Sequence, residues 1–285
     1  MKKVIKVLLI AVIFLFLIVL IDIWISYNWL TVSSFTVTSS KISEPFRIVL
    51  ISDLHNHEFG SSNAKLVERV QEQSPDLVII DGDMINGDSE NDTVAVEVVR
   101  ALSETAPVYY SLGNHEYDYI DAGHEELTED LEEAGAVVLN YQSLDAEVNG
   151  NPIRLGGLYE YGFESGMQSE EENERAVSYL KEYTDTGRYL IMCAHRPESF
   201  YPWDYADTWG IDLVLSGHLH GGQVIIPGLG GLYNSLDGFF AEYDYGQYKL
   251  GSSDMIITRG LGSNPKILPR FNNPPEIAVV DVMPE

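Results

Sequence analysis

The sequence predicts an α/β fold: two packed sheets with helices on their outer faces, preceded by one apolar helix at the N-terminus. Three observations lead there. Five short apolar runs, each of buried-strand length, end directly in polar motifs: residues 47–52 before Asp53, 77–80 before Asp81-Gly82-Asp83, 108–112 before Gly113, 189–194 before His195 and 213–216 before Gly217. Helical segments alternate with these runs. After His220, turn dipeptides and further apolar runs make the chain strand-rich.

Taken in order, residues 7–21 are unbroken apolar, and Val4-Ile5 and Ile23-Trp24-Ile25 extend the run around Lys6 and Asp22. A bilayer core needs about 20 mostly apolar residues as helix, so residues 1–30 are expected to be a single-pass anchor in the cell membrane. Lys2, Lys3 and Lys6 precede the run and no basic residue follows until Lys41. That asymmetry predicts a cytoplasmic N-terminus and an extracellular remainder. Trp24, Tyr27 and Trp29 fit an aromatic belt at the outer interface. A cleaved signal peptide is the alternative, with an apolar region of about 7–15 residues and a small-residue cleavage site. No Ala-x-Ala follows the run, and the absence of a cysteine after it excludes lipoprotein processing.

Residues 31–45, rich in Ser and Thr, read as a stalk with room for one edge strand, and residues 46–285 as one catalytic domain. Asn63 is expected to cap a helix running to about Gln73, with Leu66, Val67 and Val70 inward. Thr93 is expected to cap a helix over 94–104 with Val94, Val98, Ala101 and Leu102 on one face. Leu127 and Leu131 mark a helix at 125–133, and Ala176, Val177 and Leu180 another at 173–183. Residues 224–226, 255–257 and 277–282 read as strands. The single cysteine, Cys193, lies inside an apolar run and reads as a small core residue.

The polar motifs carry the chemistry. They supply Asp53, His55, Asp83, Asn114, His195, His218 and His220, all oxygen or imidazole donors. Such a set without thiolate suits Mn, Fe, Zn or Ca over soft metals. Any single Asp-x-His or His-x-His arises easily by chance; five motifs at the carboxyl ends of five strands do not, because an open α/β sheet builds its site at that edge. Two cations about 3.5–4 Å apart clamp the attacking and leaving oxygens of a phosphoryl displacement.

In order, the motifs Asp53-Leu54-His55, Gly82-Asp83, Gly113-Asn114-His115-Glu116, His195 and Gly217-His218-Leu219-His220 resemble the signature of the calcineurin-like metallophosphoesterases, from about Phe46 to Val282. Ile51-Ser52-Asp53-Leu54-His55-Asn56, Ala194-His195-Arg196-Pro197-Glu198, Gly217 through Gln223 and Arg259-Gly260-Leu261-Gly262 are most similar to the membrane-associated bacterial branch of YkuE- and YaeI-type phosphodiesterases. The resemblance implies a four-layer α/β/β/α sandwich of two mixed sheets flanked by helices, with two divalent metal ions (Mn, Fe or Zn). It assigns Asp53, His55, Asp83 and His220 to one ion and Asp83, Asn114, His195 and His218 to the other, with hydroxide attacking phosphorus. It makes His115 a catalytic residue, a proton donor to the leaving oxygen or a hydrogen bond to the transition state. Asn86 stands where the purple acid phosphatase branch has a tyrosine ligand, which argues against that branch.

Glu116 reads equally as a group holding a ligand and as an acidic turn residue. Asn56 and Arg196 are candidates for substrate contact, or a loop cap and a surface ion pair. Gln223 and Arg259 are candidates for the site's border. His57 and His124 read as solvent-facing, and Phe239, Phe240, Tyr243, Tyr245 and Tyr248 as alternating core strand residues or, less simply, a cleft wall.

The formal net charge of −27 repels polyanions, which disfavours long nucleic acid as a substrate and a nuclease as the function. The expected partners are the lipid bilayer and a phosphoester, either a phosphodiester or pyrophosphate that is lipid-linked, or a soluble nucleotide. A metal-stabilised binding or sensor protein is the competing class. The presence of His115 beside a full donor set argues against it.

Overall fold

The computed structural model describes residues 2–158, 170–234, 237–263 and 268–285. In chain order its helices of the N-terminal half are α1 (Lys2–Asn28), α2 (Ala64–Gln71), α3 (Thr93–Ser103), α4 (Asn114–Asp121) and α5 (Leu127–Glu133). They are followed by α6 (Glu170–Tyr183) and α7 (Tyr205–Thr208). The strands begin with β1 (Thr31–Ser39), β2 (Phe46–Ile51), β3 (Leu77–Asp81), β4 (Val108–Ser111) and β5 (Ala136–Leu139). Next come β6 (Ser143–Val148), β7 (Asn151–Gly157), β8 (Tyr189–Cys193) and β9 (Leu213–Ser216). Two small hairpins pair β10 (Ile225–Ile226) with β11 (Gly230–Gly231) and β12 (Tyr233–Asn234) with β13 (Gly238–Phe239). The last strands are β14 (Gly246–Leu250), β15 (Ser253–Ile257) and β16 (Glu276–Pro284).

Two mixed sheets result, in the orders β1-β16-β2-β3-β4-β5 and β14-β15-β9-β8-β7-β6. Strands β2 to β5 run parallel, as do β7, β8, β9 and β15. Alternation along each strand separates the layers. Ile48 and Leu50 face the second sheet and pack with Leu155, Ile191 and Leu215, whereas Val49 and Ile51 face Leu66, Val70 and Val98 of α2 and α3. On the far side, Ala176, Leu180 and Tyr183 of α6 cover Leu190, Met192 and Val214. This is the expected α/β/β/α sandwich. Burying each such aliphatic side chain contributes roughly 1.5–3 kcal/mol, and Cys193 sits among them as a core residue.

Several elements differ from expectation. The stretch read as a stalk with room for one edge strand supplies that strand over most of its length and is folded into the first sheet: β1 pairs in parallel with β16 from Thr31↔Glu276 to Ser39↔Pro284. Its alternation hides only Val37 fully, which is why it reads as polar. Asn63 stands at the N-cap position of α2, as expected, but at φ 56° its side chain makes no capping bond and its Oδ1 accepts the Phe59 N–H at 2.9 Å instead. Thr93 is the first residue of α3 rather than its cap. Strands β5, β6 and β7 and helix α4 were not foreseen. Phe239 and Phe240 are not core residues, being 69% and 47% exposed, while Tyr243, Tyr245 and Tyr248 are half-buried.

Candidate metal centre

The five motifs lie just beyond the carboxyl ends of β2, β3, β4, β8 and β9, so the sheets deliver them to one edge. Backbone hydrogen bonds clip the loops together there. Asp53 N donates to Gly82 O at 2.9 Å, His55 N to Asp83 O at 3.0 Å, and Gly217 N to His195 O at 3.2 Å. Asp53, His55, Asp83, His218 and His220 all adopt positive φ, between 48° and 68°. Such backbone costs free energy in an L-residue and clusters where function over-determines the geometry. Gly217 is required for space: a Cβ there would stand 2.5 Å from Asp53 Oδ2.

The side chains converge. Donor atoms of Asp53, His55 and His220 lie within 4.8 Å of one another, as do those of Asp83, His195 and His218. A third grouping joins His55, Asp83 and His115. Asp83 Oδ1 accepts the His115 N–H at 2.9 Å, which leaves Oδ2 for the site, 3.1 Å from His195 Nε2 and 3.9 Å from His55 Nε2. A carboxylate oxygen is thus placed between imidazoles expected on different ions. Asn114 Oδ1 is buried without a protein partner.

Two of the imidazoles are oriented by their other nitrogen. His55 Nδ1–H donates to Asn86 Oδ1 at 3.0 Å, and His195 Nδ1–H to the Asp81 carbonyl at 2.5 Å. The His55 Nε2 is then a buried lone pair with no hydrogen-bond partner, and the His195 Nε2 is turned on Asp83 Oδ2 at 3.1 Å. An orphaned acceptor of this kind is costly unless a cation or donor faces it. The donor set therefore fits hard or borderline divalent cations. Asn86, read earlier only as a missing tyrosine, acts as the group that fixes the His55 tautomer. Asn86→Ala should lower metal affinity about 10–100-fold, as loss of such partners does elsewhere; titration of metal-free protein with Mn measures it.

The electrostatics agree. Burial, then the charge of His220, lowers His55 to about 4, and burial, then Arg270, lowers His220 to about 3. His218 is held well below its ordinary value by burial and by Arg196. These three are neutral at pH 7 and present lone pairs. His195 behaves oppositely: burial disfavours its charge, but the charge and hydrogen bond of Asp83, then Asp53 and Asp81, push it up to about 10. Burial would raise the Asp83 carboxyl, yet the charge and hydrogen bond of His195 hold it well below the usual range. Burial raises Asp53, against the charge of His195 and with that of Asp83. A bound cation inverts such local preferences and favours both carboxylates ionised.

Glu116 has a role the sequence did not show. It is fully buried, and its carboxylate accepts four hydrogen bonds: from Asp83 N at 2.7 Å, Gly113 N at 2.9 Å, Met84 N at 2.8 Å and Tyr110 OH at 2.8 Å. It braces the backbone on both sides of the site instead of holding a histidine. In Glu116→Gln the amide oxygen can serve Asp83 N and Gly113 N while Nε2 donates to Tyr110, leaving Met84 N–H unsatisfied. A loss of about 1–3 kcal/mol in unfolding free energy is expected from urea titration.

The remaining candidates separate. Arg196 Nη1 donates to Glu198 at 3.1 Å, and both residues are mostly buried near His218, so this is no surface ion pair. Asn56 clamps Ser89 Oγ at 2.6 Å. Arg259 is turned from the site and binds Glu276 at 2.9–3.0 Å. Gln223 borders the His220 turn, with Oε1 buried. His57 is not solvent-facing: its ring packs 4.6 Å from Phe59 and 6.5 Å from Tyr27 of α1. His124 stacks on Tyr119 at 4.0 Å.

Fold and site together define a metal-dependent phosphoesterase. Residues 46–222 match the model of the calcineurin-like phosphoesterases, and the chain belongs to that family. It is 26% identical over 254 residues to the uncharacterized protein YpbG of Bacillus subtilis, covering 89% of this chain and 87% of that one. It is 28% identical to the phosphodiesterase YaeI of Escherichia coli, covering 84% and 83%, and 27% identical to the metallophosphoesterase YkuE of Bacillus subtilis, covering 86% and 82%. The chain spans 49% of the metallophosphoesterase Cj0846 of Campylobacter jejuni. The solved structure of TT1561 of Thermus thermophilus aligns with a TM-score of 0.48 at 16% identity, covering 76% of this chain and 90% of that one.

Proposed function

We propose that the centre holds two divalent cations, Mn, Fe or Zn, and hydrolyses a phosphodiester or pyrophosphate. Asp53, His55, Asp83 and His220 would hold one cation, and Asp83, Asn114, His195 and His218 the other. The observation that carries this reading is the convergence of His55 Nε2 and His195 Nε2 on Asp83 Oδ2, at 3.9 and 3.1 Å. Bound cations supply an acidified water and charge neutralisation at the phosphoryl oxygens. The protein positions the rest. His115 Nδ1 accepts the Gly87 N–H at 3.0 Å, so in the neutral ring Nε2 carries the proton and suits the leaving oxygen. Arg196, held by Glu198 beside His218, is placed to receive a non-bridging phosphoryl oxygen.

Helix α1 is long and apolar enough to cross a membrane. We read it as an anchor with the N-terminus cytoplasmic and the catalytic domain outside, acting on a phosphoester at the bilayer, including lipid-linked ones. The purified full chain, loaded with Mn, Fe or Zn, should turn over bis(p-nitrophenyl) phosphate and carry two ions by elemental analysis. Failure to cleave any phosphorus ester with each of these metals would return the protein to the binding or sensor class.

A further inference from the structure

We infer that the metal-bearing edge of the sandwich lies on the membrane surface, with the β10–β13 hairpins immersed among lipid headgroups, so that the site takes its phosphoester from an amphiphile still seated in the bilayer. This rests on reading α1 as an anchor.

The first support is where α1 ends. Asp22 Oδ2 accepts the Asn272 N–H at 2.5 Å, and Ser26 Oγ, buried, accepts that of Asn273 at 3.1 Å. Tyr27 OH meets Arg270 N at 3.4 Å. The charge that interrupts the apolar run is thereby bound to the catalytic domain. Asn273 Nδ2 in turn donates to the His220 carbonyl at 2.7 Å and to that of Gln223 at 3.1 Å. One residue thus links the helix to the His220 turn. Trp24 and Trp29, 61% and 63% exposed, flank the docked turn and suit the interfacial belt, which fixes the depth of that contact.

The second support is the surface beside it. Phe271 pairs with residues 223–225, and Asn272 Nδ2 donates to Ile225 O at 2.9 Å, so the hairpins spring from the loop that grips α1. Leu229, Tyr233, Phe239 and Phe240 are 64%, 38%, 69% and 47% exposed. Among the described residues outside α1, the other exposed large apolar side chains are Trp29, Val137 and Leu144. Residues 224–240 contain one charged residue, Asp237, in a chain of net charge −27. An aromatic patch with a single carboxylate at the foot of a membrane-length helix matches the interfacial layer, where aromatic and aliphatic side chains settle at the headgroup boundary.

The test uses the full chain in phosphatidylcholine proteoliposomes. Bimane is attached at Leu229→Cys, Phe239→Cys and, at the opposite end of the second sheet, Glu147→Cys; Cys193 is buried and does not compete. Lipids carrying a nitroxide high on the acyl chain should quench positions 229 and 239 about twofold or more and leave 147 unchanged, given insertion to the headgroup boundary. A Phe239→Asp/Phe240→Asp variant should keep its turnover of bis(p-nitrophenyl) phosphate. Its turnover of vesicle-embedded hexadecyl p-nitrophenyl phosphate should fall about tenfold, through KM, as burial of two aromatic groups is lost. Equal quenching at all three positions, or none, overturns the inference while leaving the phosphoesterase reading intact. Release of the protein by alkaline carbonate overturns the anchor and this inference with it. Loss of bis(p-nitrophenyl) phosphate turnover in the unmodified chain would instead strike the phosphoesterase reading.

Discussion

Asp83→Asn should strip at least one cation per chain and lower phosphodiester turnover by about a thousandfold or more, since removing even one electrostatic donor from a transition state costs about 10²–10³. The geometry dictates how. His115 N–H donates to Asp83 Oδ1, so the amide oxygen of the asparagine is held on that side. Its NH₂ then faces the position of Oδ2, 3.1 Å from His195 Nε2 and 3.9 Å from His55 Nε2. A donor group replaces the anionic oxygen at the point where both cations are proposed to meet. The backbone stays braced by Glu116, so circular dichroism should be unchanged. Elemental analysis beside kinetics reads the result, and two ions per chain with normal turnover would sink the shared-carboxylate reading.

Much of this arrangement was legible because parallel, doubly buried strands leave near-continuous apolar runs. In β2, β3, β4, β8 and β9 the run stops where the chain turns into the site, so strand and function share one signal. Where that coupling is missing, the reading failed. β6 is polar and mostly exposed, β7 holds Pro152 and ends in Gly156-Gly157, and β5 leads to no donor. β1 looks like a stalk because it is an edge strand whose partner, β16, lies at the far end of the sequence. Helix α4 begins inside Asn114-His115-Glu116 itself, where the motif masks the periodicity. The supporting residues were illegible for a different reason. Asn86 and Glu116 act through bonds to residues some thirty positions away, and spacing along the chain does not encode which loop will sit beside which. The hairpin aromatics Phe239 and Phe240 misled because apolar residues suggest a core until the surface that covers them is considered.

His115→Ala should retain the cations yet lose about 10²–10³-fold in turnover of alkyl phosphodiesters, the cost of removing one hydrogen-bond donor from a transition-state oxygen. The Gly87 N–H fixes the ring with Nδ1 as acceptor. A neutral imidazole so held has its second nitrogen protonated, which makes it a donor and a poor ligand. That separates it from His55, whose ring stands 4.9 Å away and whose Nδ1 gives its proton to Asn86. The two histidines are thus set in opposite tautomers by their neighbours, one turned toward a cation and one toward a leaving group. The loss should shrink for p-nitrophenyl esters, whose leaving oxygen spreads its charge into the ring and needs the hydrogen bond less, so the dependence of rate on leaving-group basicity should steepen in the variant. Because His115 also lies within ligating reach of His55 and Asp83, metal content decides between the two roles. Loss of an ion in His115→Ala would make it a ligand, and unchanged turnover of an alkyl ester would remove it from the reaction.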